Sequence, residues 1–261
     1  MNKKVQLSVY ILAFNEEAKI GDTIKSVLWA DEIVVIDSFS TDKTVEISEQ
    51  LGAKVVQVKF EGFGELRMAG IKYTTHDWIF SIDSDERCTP EAKKEILSTI
   101  DKENSKDIYF MPRRNIFMGK EIRFCGWYPN YRQPQLFRRG KMTYEAKDLV
   151  HEDYIINGSV GHLQKHIWQI PFLNISEIIQ KMDRYSELGA GKLINKKKKC
   201  PSFLNIILRS IWTFIRIYIL RLGFLDGWAG FMIAFCNMEG TFYRYVKFKE
   251  SLSLSRNKEG E

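Results

Sequence analysis

DWIFSIDSDE, residues 77–86, is an apolar run of strand length that stops abruptly in carboxylates. Asp77 to Ile82 is short, aromatic and β-branched, which is how a strand covered on both faces reads. Working outward, the same plan repeats. Val5 to Ala13 is an apolar strand ending next to Asn15, Glu32 to Asp37 (EIVVID) is a strand ending in a carboxylate, and Lys54 to Val58 is a third strand. Between them, residues 18–30 place Ile20, Ile24, Val27 and Leu28 at helical spacing. Helices are also expected over 41–51, with Ser40 or Thr41 as cap and Gly52 as stop, over 64–73, and from Pro90 to about Asp101. Strands alternating with helices give an α/β fold, a mostly parallel sheet with helices on its faces. Ligands of such sheets bind at the carboxyl ends of the strands, where Asn15, Asp37 and Asp83 stand.

Beyond residue 106 the rhythm changes. DIYFMP, QPQLFRR, DYIIN and GHLQKH read as short strands flanking the sheet, split by a Gly-, Pro- and aromatic-rich loop over 119–134 whose length suits a functional role. After Asn174 the chain reads as helix. A run of four lysines, Lys196 to Lys199, precedes FLNIILRSIWTFIRIYILRLGFLDGWAGFMIAF. Here Ser202, Asn205, Arg209, Thr213 and Arg216 share one helical face and the rest is apolar. Arg209, Arg216 and Arg221 interrupt it as a spanning segment, so it fits a helix lying in a membrane interface, with a helix packed on the catalytic domain or in a dimer as the alternative.

The composition agrees. In 261 residues, 44% hydrophobic and 28% charged side chains exclude disordered and low-complexity classes. The four cysteines are widely spaced without a CxxC pair, arguing against a disulfide scaffold or a structural zinc, and for a reducing cytosol. The apolar start of the chain reads as a buried strand and not as a signal peptide. The net charge of +6 is uneven: residues 190–261 carry 13 Lys and Arg against 5 Asp and Glu. Because those charges are interleaved with Ile, Leu and Phe, they suit an anionic membrane surface better than nucleic acid.

Two carboxylates one residue apart at a strand end, Asp83 and Asp85, can share a hard divalent cation, Mg²⁺ or Mn²⁺, with phosphate oxygens and water completing its shell. A solvated acidic turn is the plainer alternative. Asp37 can accept hydrogen bonds from a ribose or a base, and Ser40, Thr41 and Asp42 read as helix caps. No GxGxxG follows the first strand and no GxxxxGK[ST] occurs, which argues against dinucleotide enzymes and P-loop NTPases.

AFNEE (13–17), VVIDSFSTDKT (34–44), ELRMAGI (65–71) and DWIFSIDSDE (77–86) resemble the nucleotide-sugar half of family 2 glycosyltransferases, which have the GT-A fold. GWYP (126–129), QLFRRG (135–140), VHED (150–153), RYSEL (184–188) and LRLGFLDGWAGF (220–231) are similar to the bacterial lipopolysaccharide-core β-1,4-glucosyltransferase branch. The resemblance implies a GT-A catalytic domain over 1–170, split into a nucleotide-sugar half (1–105) and an acceptor half (106–170), and a helical, basic, membrane-interface region over 171–261. It implies an inverting, metal-dependent transfer of a hexose, glucose first, from a UDP-sugar to a glycolipid such as the lipopolysaccharide inner core. Asn15, Glu17 and Asp37 would line the uridine pocket, with Arg67 near the base or diphosphate. Asp83 and Ser84 would touch the donor, Asp83 and Asp85 the metal, and Trp127 and Tyr128 the sugar. The base would be Glu152 or Asp153, and His166 or His162 would complete the metal shell; four residues apart, the two histidines are expected on one strand face. Relatives carry Arg-Asn where this chain has Arg67-Met68, and an acidic residue near Arg123-Phe124-Cys125, which bears on donor or acceptor preference. The enzyme would sit peripherally on the inner face of the cytoplasmic membrane, with a homo-oligomer compatible. Two other readings stand beside this one: a polyprenyl-phosphate glycosyltransferase, and a non-catalytic membrane-associated binding module.

Overall fold

The computed structural model describes residues 5–128, 131, 133–145 and 153–258. In chain order the elements are β1 (Leu7–Ala13), α1 (Ile20–Val27), β2 (Glu32–Asp37), α2 (Thr44–Gln50), β3 (Lys54–Gln57), α3 (Phe63–Tyr73), β4 (Trp78–Asp83), β5 (Glu86–Cys88) and α4 (Pro90–Ile100). There follow β6 (Ile108–Phe110), β7 (Arg113–Phe117), β8 (Lys120–Ile122), β9 (Pro134–Arg138), β10 (Met142–Glu145), β11 (Asp153–Ile156), β12 (Val160–His162) and β13 (Ile167–Phe172). The C-terminal part is α5 (Ile175–Asn195), α6 (Phe203–Ile215), a π-helical turn (Arg216–Leu220), a 3₁₀ turn (Gly223–Asp226) and α7 (Gly227–Lys258). They form two compact units, Met1–Arg114 with Pro129–Gln169, and Asn115–Tyr128 with Ile170–Glu261.

The first unit is built on a seven-stranded sheet in the order β12-β6-β9-β4-β1-β2-β3. The β1–β2, β2–β3 and β1–β4 pairs are parallel, whereas β9 runs antiparallel to both β4 and β6. It is a GT-A-like mixed sheet flanked by helices. Leu7, Val9 and Ile11 of β1 pack with Ile20, Ile24 and Val27 of α1 on one side. Tyr10, Leu12 and Ile36 pack with Leu66 and Ile71 of α3 on the other. Burial on both faces is why these strands carry no polar alternation. The chain builds β2 and β3 on one side of β1 and then crosses to place β4 on the other. This reversal is a topological switch point, the crevice where open α/β sheets take ligands.

The second unit contains the β7–β8 hairpin and the C-terminal helices. Ile217, Ala229, Ile233 and Ala234 pack with Phe117, Ile122, Cys125 and Ile178 in its core. α6 buries Ile206 and Ser210, and at its edge Thr213 meets Thr241 of α7 at 3.4 Å and the Arg209 guanidinium lies 5.7 Å from the Tyr245 ring centre, while Asn205, Arg209 and Arg216 of the expected polar face stay exposed. Leu204, Leu208, Ile211 and Trp212 are left exposed at the i, i+4, i+7 and i+8 positions of one stripe. The segment Phe203–Leu220 is long and apolar enough to cross a membrane by length and composition, with a mean hydropathy of 1.5 and 17% of it buried, despite Arg209 and Arg216 within it.

Several local expectations change. The second helix starts at Thr44, not residue 41, and Ser40 and Thr41 are not its caps. Residues 119–134 are not all loop, because Lys120–Ile122 pairs with Asn115–Phe117. His162 ends β12 and His166 precedes β13, so the two histidines do not share a strand. The Glu95 carboxylate accepts the backbone N–H groups of Gln164 (2.9 Å) and Lys165 (2.7 Å), which holds a turn between them.

Candidate active site

Register sets the site. Ala13 pairs with Asp37 and Leu12 with Asp83, so the ends of β1, β2 and β4 are level across the switch point. The chain leaves β1 through Asn15, a non-glycine residue in the left-handed region (φ 54°). Such a conformation costs about 1 kcal/mol or more and persists only where neighbours dictate it. Here they do. The Asn15 N–H donates to Ser40 Oγ (2.8 Å), and its Oδ1 accepts the Thr41 N–H (2.8 Å). The Glu16 N–H donates to Thr44 Oγ1 (2.8 Å) and the Glu17 N–H to Asp42 Oδ2 (3.1 Å), while Glu17 Oε2 accepts the Lys43 N–H (3.0 Å). The residues read as helix caps thus stitch the loop after β1 to the loop after β2.

Asp37 is fully buried at the end of β2. Its carboxylate accepts from the Ser40 N–H (3.0 Å), Ser40 Oγ (2.5 Å) and Gln57 Nε2 (3.3 Å). These donors hold it beside Asn15.

Arg67 projects from α3 and is buried to 4% exposure. Its guanidinium donates to Ser81 Oγ (3.1 Å) and to both oxygens of Asp83 (3.0 and 3.3 Å). Residues 84 and 85 then make a tight turn into β5. Ser84 is buried and its carbonyl accepts the Thr23 hydroxyl at 2.6 Å, tying the turn to α1. Asp85 accepts from Gln169 Nε2 at 3.4 Å.

Two carboxylates that sequence reading passed over complete the picture. Glu86 is fully buried, ion-paired with Arg113, and accepts from the Asp83 N–H (3.0 Å) and Gln135 Nε2 (3.2 Å). Burial lifts its carboxyl to about 7, with the charges of Asp83 and Asp85 adding to the rise and Arg113 opposing it. Glu16 is raised too, by burial first and by the charge of Asp85 as well, with Lys19 opposing. Both residues stood in view, in AFNEE and IDSDE. What marks them out is burial among other acids, which needs the tertiary structure.

The remaining candidates are placed as follows. Asp153 is exposed at the start of β11, opposite Glu145 of β10, whereas Glu152 lies outside the described residues. The carbonyl of His166 accepts the Thr89 hydroxyl (2.8 Å) and its ring meets Trp168 edge-on at 4.6 Å. His162 stacks on Phe110 at 5.4 Å. Among the described residues no group of three or more His, Cys, Asp or Glu gathers that could hold a metal ion. Trp127 and Tyr128 belong to the second unit, where Trp127 meets Phe117 edge-on at 6.0 Å and its carbonyl accepts from Asn115 Nδ2 (3.1 Å).

Glu16 and Glu86, both raised first by burial, stand with Asp83 and Asp85 around this turn. Two hard carboxylates in one turn, with more acid around them, are a donor set that suits Mg²⁺ or Mn²⁺ bound jointly by protein and phosphate. The mixed sheet with these groups at its switch point is GT-A-like. The sequence profile of glycosyl transferase family 2 matches residues 8–153, and the chain belongs to that family.

Its relatives agree. It is 27% identical to an uncharacterized glycosyltransferase of Rickettsia felis, over 97% of this chain and 92% of that protein. It is 28% identical to the lipopolysaccharide core biosynthesis glycosyltransferase LpsC of Rhizobium meliloti, over 94% of this chain and 92% of that one. Among solved structures it is similar to glucosyl-3-phosphoglycerate synthase from Mycobacterium tuberculosis, determined with Mn²⁺, UDP and glucosyl-3-phosphoglycerate. That match has 28% identity and a TM-score of 0.38, and covers 42% of this chain and 44% of the other.

Proposed function

We propose that this glycosyltransferase transfers a hexose, glucose first among candidates, from a UDP-sugar to a glycolipid acceptor of the lipopolysaccharide-core kind, with inversion. One observation carries the donor half of this reading: Asp37 and the Asp83–Asp85 turn stand level at the switch point. Asn15, Glu17 and Asp37 receive the uridine. Asp83 and Asp85 hold Mg²⁺ or Mn²⁺, which when bound neutralises the diphosphate leaving group. Arg67 orients Asp83, and Glu86 holds the backbone of the same turn. Trp127 and Tyr128 offer aromatic faces to the sugar. Glu152, with Asp153 beside it, takes the proton of the attacking acceptor hydroxyl, a role worth about 10²–10⁴ in rate.

The acceptor half is supported by the similarity to LpsC along the whole chain and by the exposed apolar stripe of α6. The stripe and the basic C-terminal quarter suit the surface of an anionic bilayer, where such an acceptor resides. The test is release of UDP, GDP or ADP from a panel of their glucose conjugates, with Mn²⁺ or with chelator. Metal-dependent release from the UDP-sugar is expected, and Glu152→Gln should retain UDP-sugar binding while losing transfer. Full transfer by that variant would remove Glu152 from the mechanism. A charged lipid-linked sugar as the product would move the acceptor to polyprenyl phosphate.

A further inference from the structure

The turn between the π-helical segment and α7 has two different sides. On its outer side Leu222, Phe224, Leu225 and Trp228 are between 43% and 54% exposed, a cluster of large apolar side chains in water. Arg216, also exposed, precedes them in the chain. On its inner side Asp226, 3% exposed, accepts the backbone N–H groups of Arg123 (3.2 Å) and Phe124 (2.9 Å) and the Cys125 thiol (3.7 Å). Burial, aided by the charge of Asp226, lifts the thiol to about 12, so it stays protonated as a donor. The Cys125 N–H donates to the Arg221 carbonyl (3.1 Å), and Lys120 Nζ to the Asp226 carbonyl (2.6 Å).

The fit is close and strained. A Cβ on Gly126 would come within 2.6 Å of the Arg221 guanidinium, and one on Gly223 within 2.9 Å of the Cys125 sulfur. Cys125 (φ 61°) and Leu222 (φ 55°) both hold left-handed backbone. Such backbone, on both sides of the contact that the Cys125 N–H makes with the Arg221 carbonyl, persists only while its surroundings impose it. Asp226 also stands at the N-terminus of the 32-residue α7, where the helix dipole favours its charge. The buried carboxylate therefore has a complete set of donors, all of them supplied by the loop that leads into Trp127 and Tyr128.

We propose that the turn Arg221–Trp228 is a strut between lipid and loop: its outer apolar side inserts into the interface of an anionic bilayer, and its inner side, through Asp226 and the Arg221 carbonyl, orders residues 123–128. Asp226 is on this account a positioning residue. Exposed Arg216 and the net +8 of residues 190–261 commit the outer side to an anionic lipid surface. Lipid can shift the loop only because it binds the ordered turn better than a disordered one. The benefit to sugar binding rests on the function proposed above, whereas the docking and the loop's response do not.

Hydrogen–deuterium exchange on the full chain tests this directly, with vesicles of mixed phosphatidylethanolamine and phosphatidylglycerol as probe. Amides of residues 123–125 should exchange about tenfold more slowly with vesicles, the factor a charge-assisted hydrogen bond sustains. Those of Val34–Ile36 should not change, nor should any with neutral phosphatidylcholine vesicles. Leu225→Ser with Trp228→Ser should abolish the slowing and weaken co-sedimentation, leaving lipid-free UDP release as in the wild type. Asp226→Asn should still co-sediment but lose the loop's response. Unchanged exchange in the wild type overturns the proposal even if Asp226→Asn proves unfoldable. So does a vesicle-independent dimer that protects the same amides. Loop protection without any UDP-sugar turnover would instead uphold the strut and refute the UDP-sugar donor proposed above.

Discussion

Asp85 and Glu86 are neighbours with opposite tasks. Asp85 is half-buried in the turn and is, in the function proposed above, one of two metal ligands. Asp85→Ala is expected to lower kcat/KM for UDP-sugar turnover on the order of 10²–10³-fold, the scale of several kcal/mol of charge stabilisation. Turnover near the wild-type level in saturating Mn²⁺ would rule the ligand role out. Glu86 is fully buried and holds the Asp83 backbone instead. Its carboxyl is raised from the ordinary 4.5 to about 7, so between those values the folded protein binds the extra proton and the unfolded chain does not. Stability therefore falls as pH rises through this window. In chelator, Glu86→Gln should flatten that slope relative to the wild type, measured as denaturation midpoints between pH 5 and about 7.5. An identical slope in both proteins would show that another group sets it.

Elements meet where small residues allow it. A Cβ on Gly230 of α7 would overlap the carbonyl oxygen of Gly223 in the 3₁₀ turn. Both partners are backbone, so no rotamer can relieve the clash. Gly230→Ala is therefore expected to destabilise the protein by about 3 kcal/mol, the upper end for overpacking, and to lower its melting temperature. An unchanged melting temperature would mean that the turn repacks freely. Gly70 on α3 has the same role against β1, because its Cβ would come within 2.5 Å of the Tyr10 ring.

At the scale of the whole molecule, charge and apolar surface separate along the chain. Residues 1–189 carry 26 Lys and Arg against 28 Asp and Glu, and the positive excess belongs to the C-terminal quarter that also exposes Leu204, Leu208 and Trp212. Hydrophobic insertion tolerates salt, whereas phosphate attraction does not. Raising salt from about 0.1 M to about 1 M shortens the screening length from roughly 10 to 3 Å. Co-sedimentation with phosphatidylglycerol vesicles should fall across that range, with a residue of binding that Leu208→Ser and Trp212→Ser remove. Binding insensitive to both changes would exclude this face.

The sequence by itself determined the alternation of strands and helices over the first hundred residues. It also determined that Asn15, Asp37, Asp83 and Asp85 fall at strand ends. Both follow from local periodicity, because a strand covered on two faces must be continuously apolar and must stop where the chain turns polar. Tertiary structure alone decided what those polar residues touch. Ser40, Thr41 and Asp42 have the composition of helix caps, and Asp42 does accept the Thr44 N–H (3.0 Å), yet they also bind Asn15 and Glu17 from some 25 positions away, because parallel strands bring two loops side by side. Glu86 looks like one more acid in a turn until Arg113 and Gln135, far along the chain, enclose it. Asp226 lies in an apolar stretch whose period says nothing about a loop a hundred residues earlier. The exposed apolar stripe of α6 was hidden too, since helical spacing alone does not say that the packed side carries only Ile206 and Ser210 and leaves Leu204, Leu208, Ile211 and Trp212 in solvent. Local pattern follows the backbone's repeat, whereas burial and hydrogen-bond partners follow contacts between distant segments, and no single-sequence period encodes those.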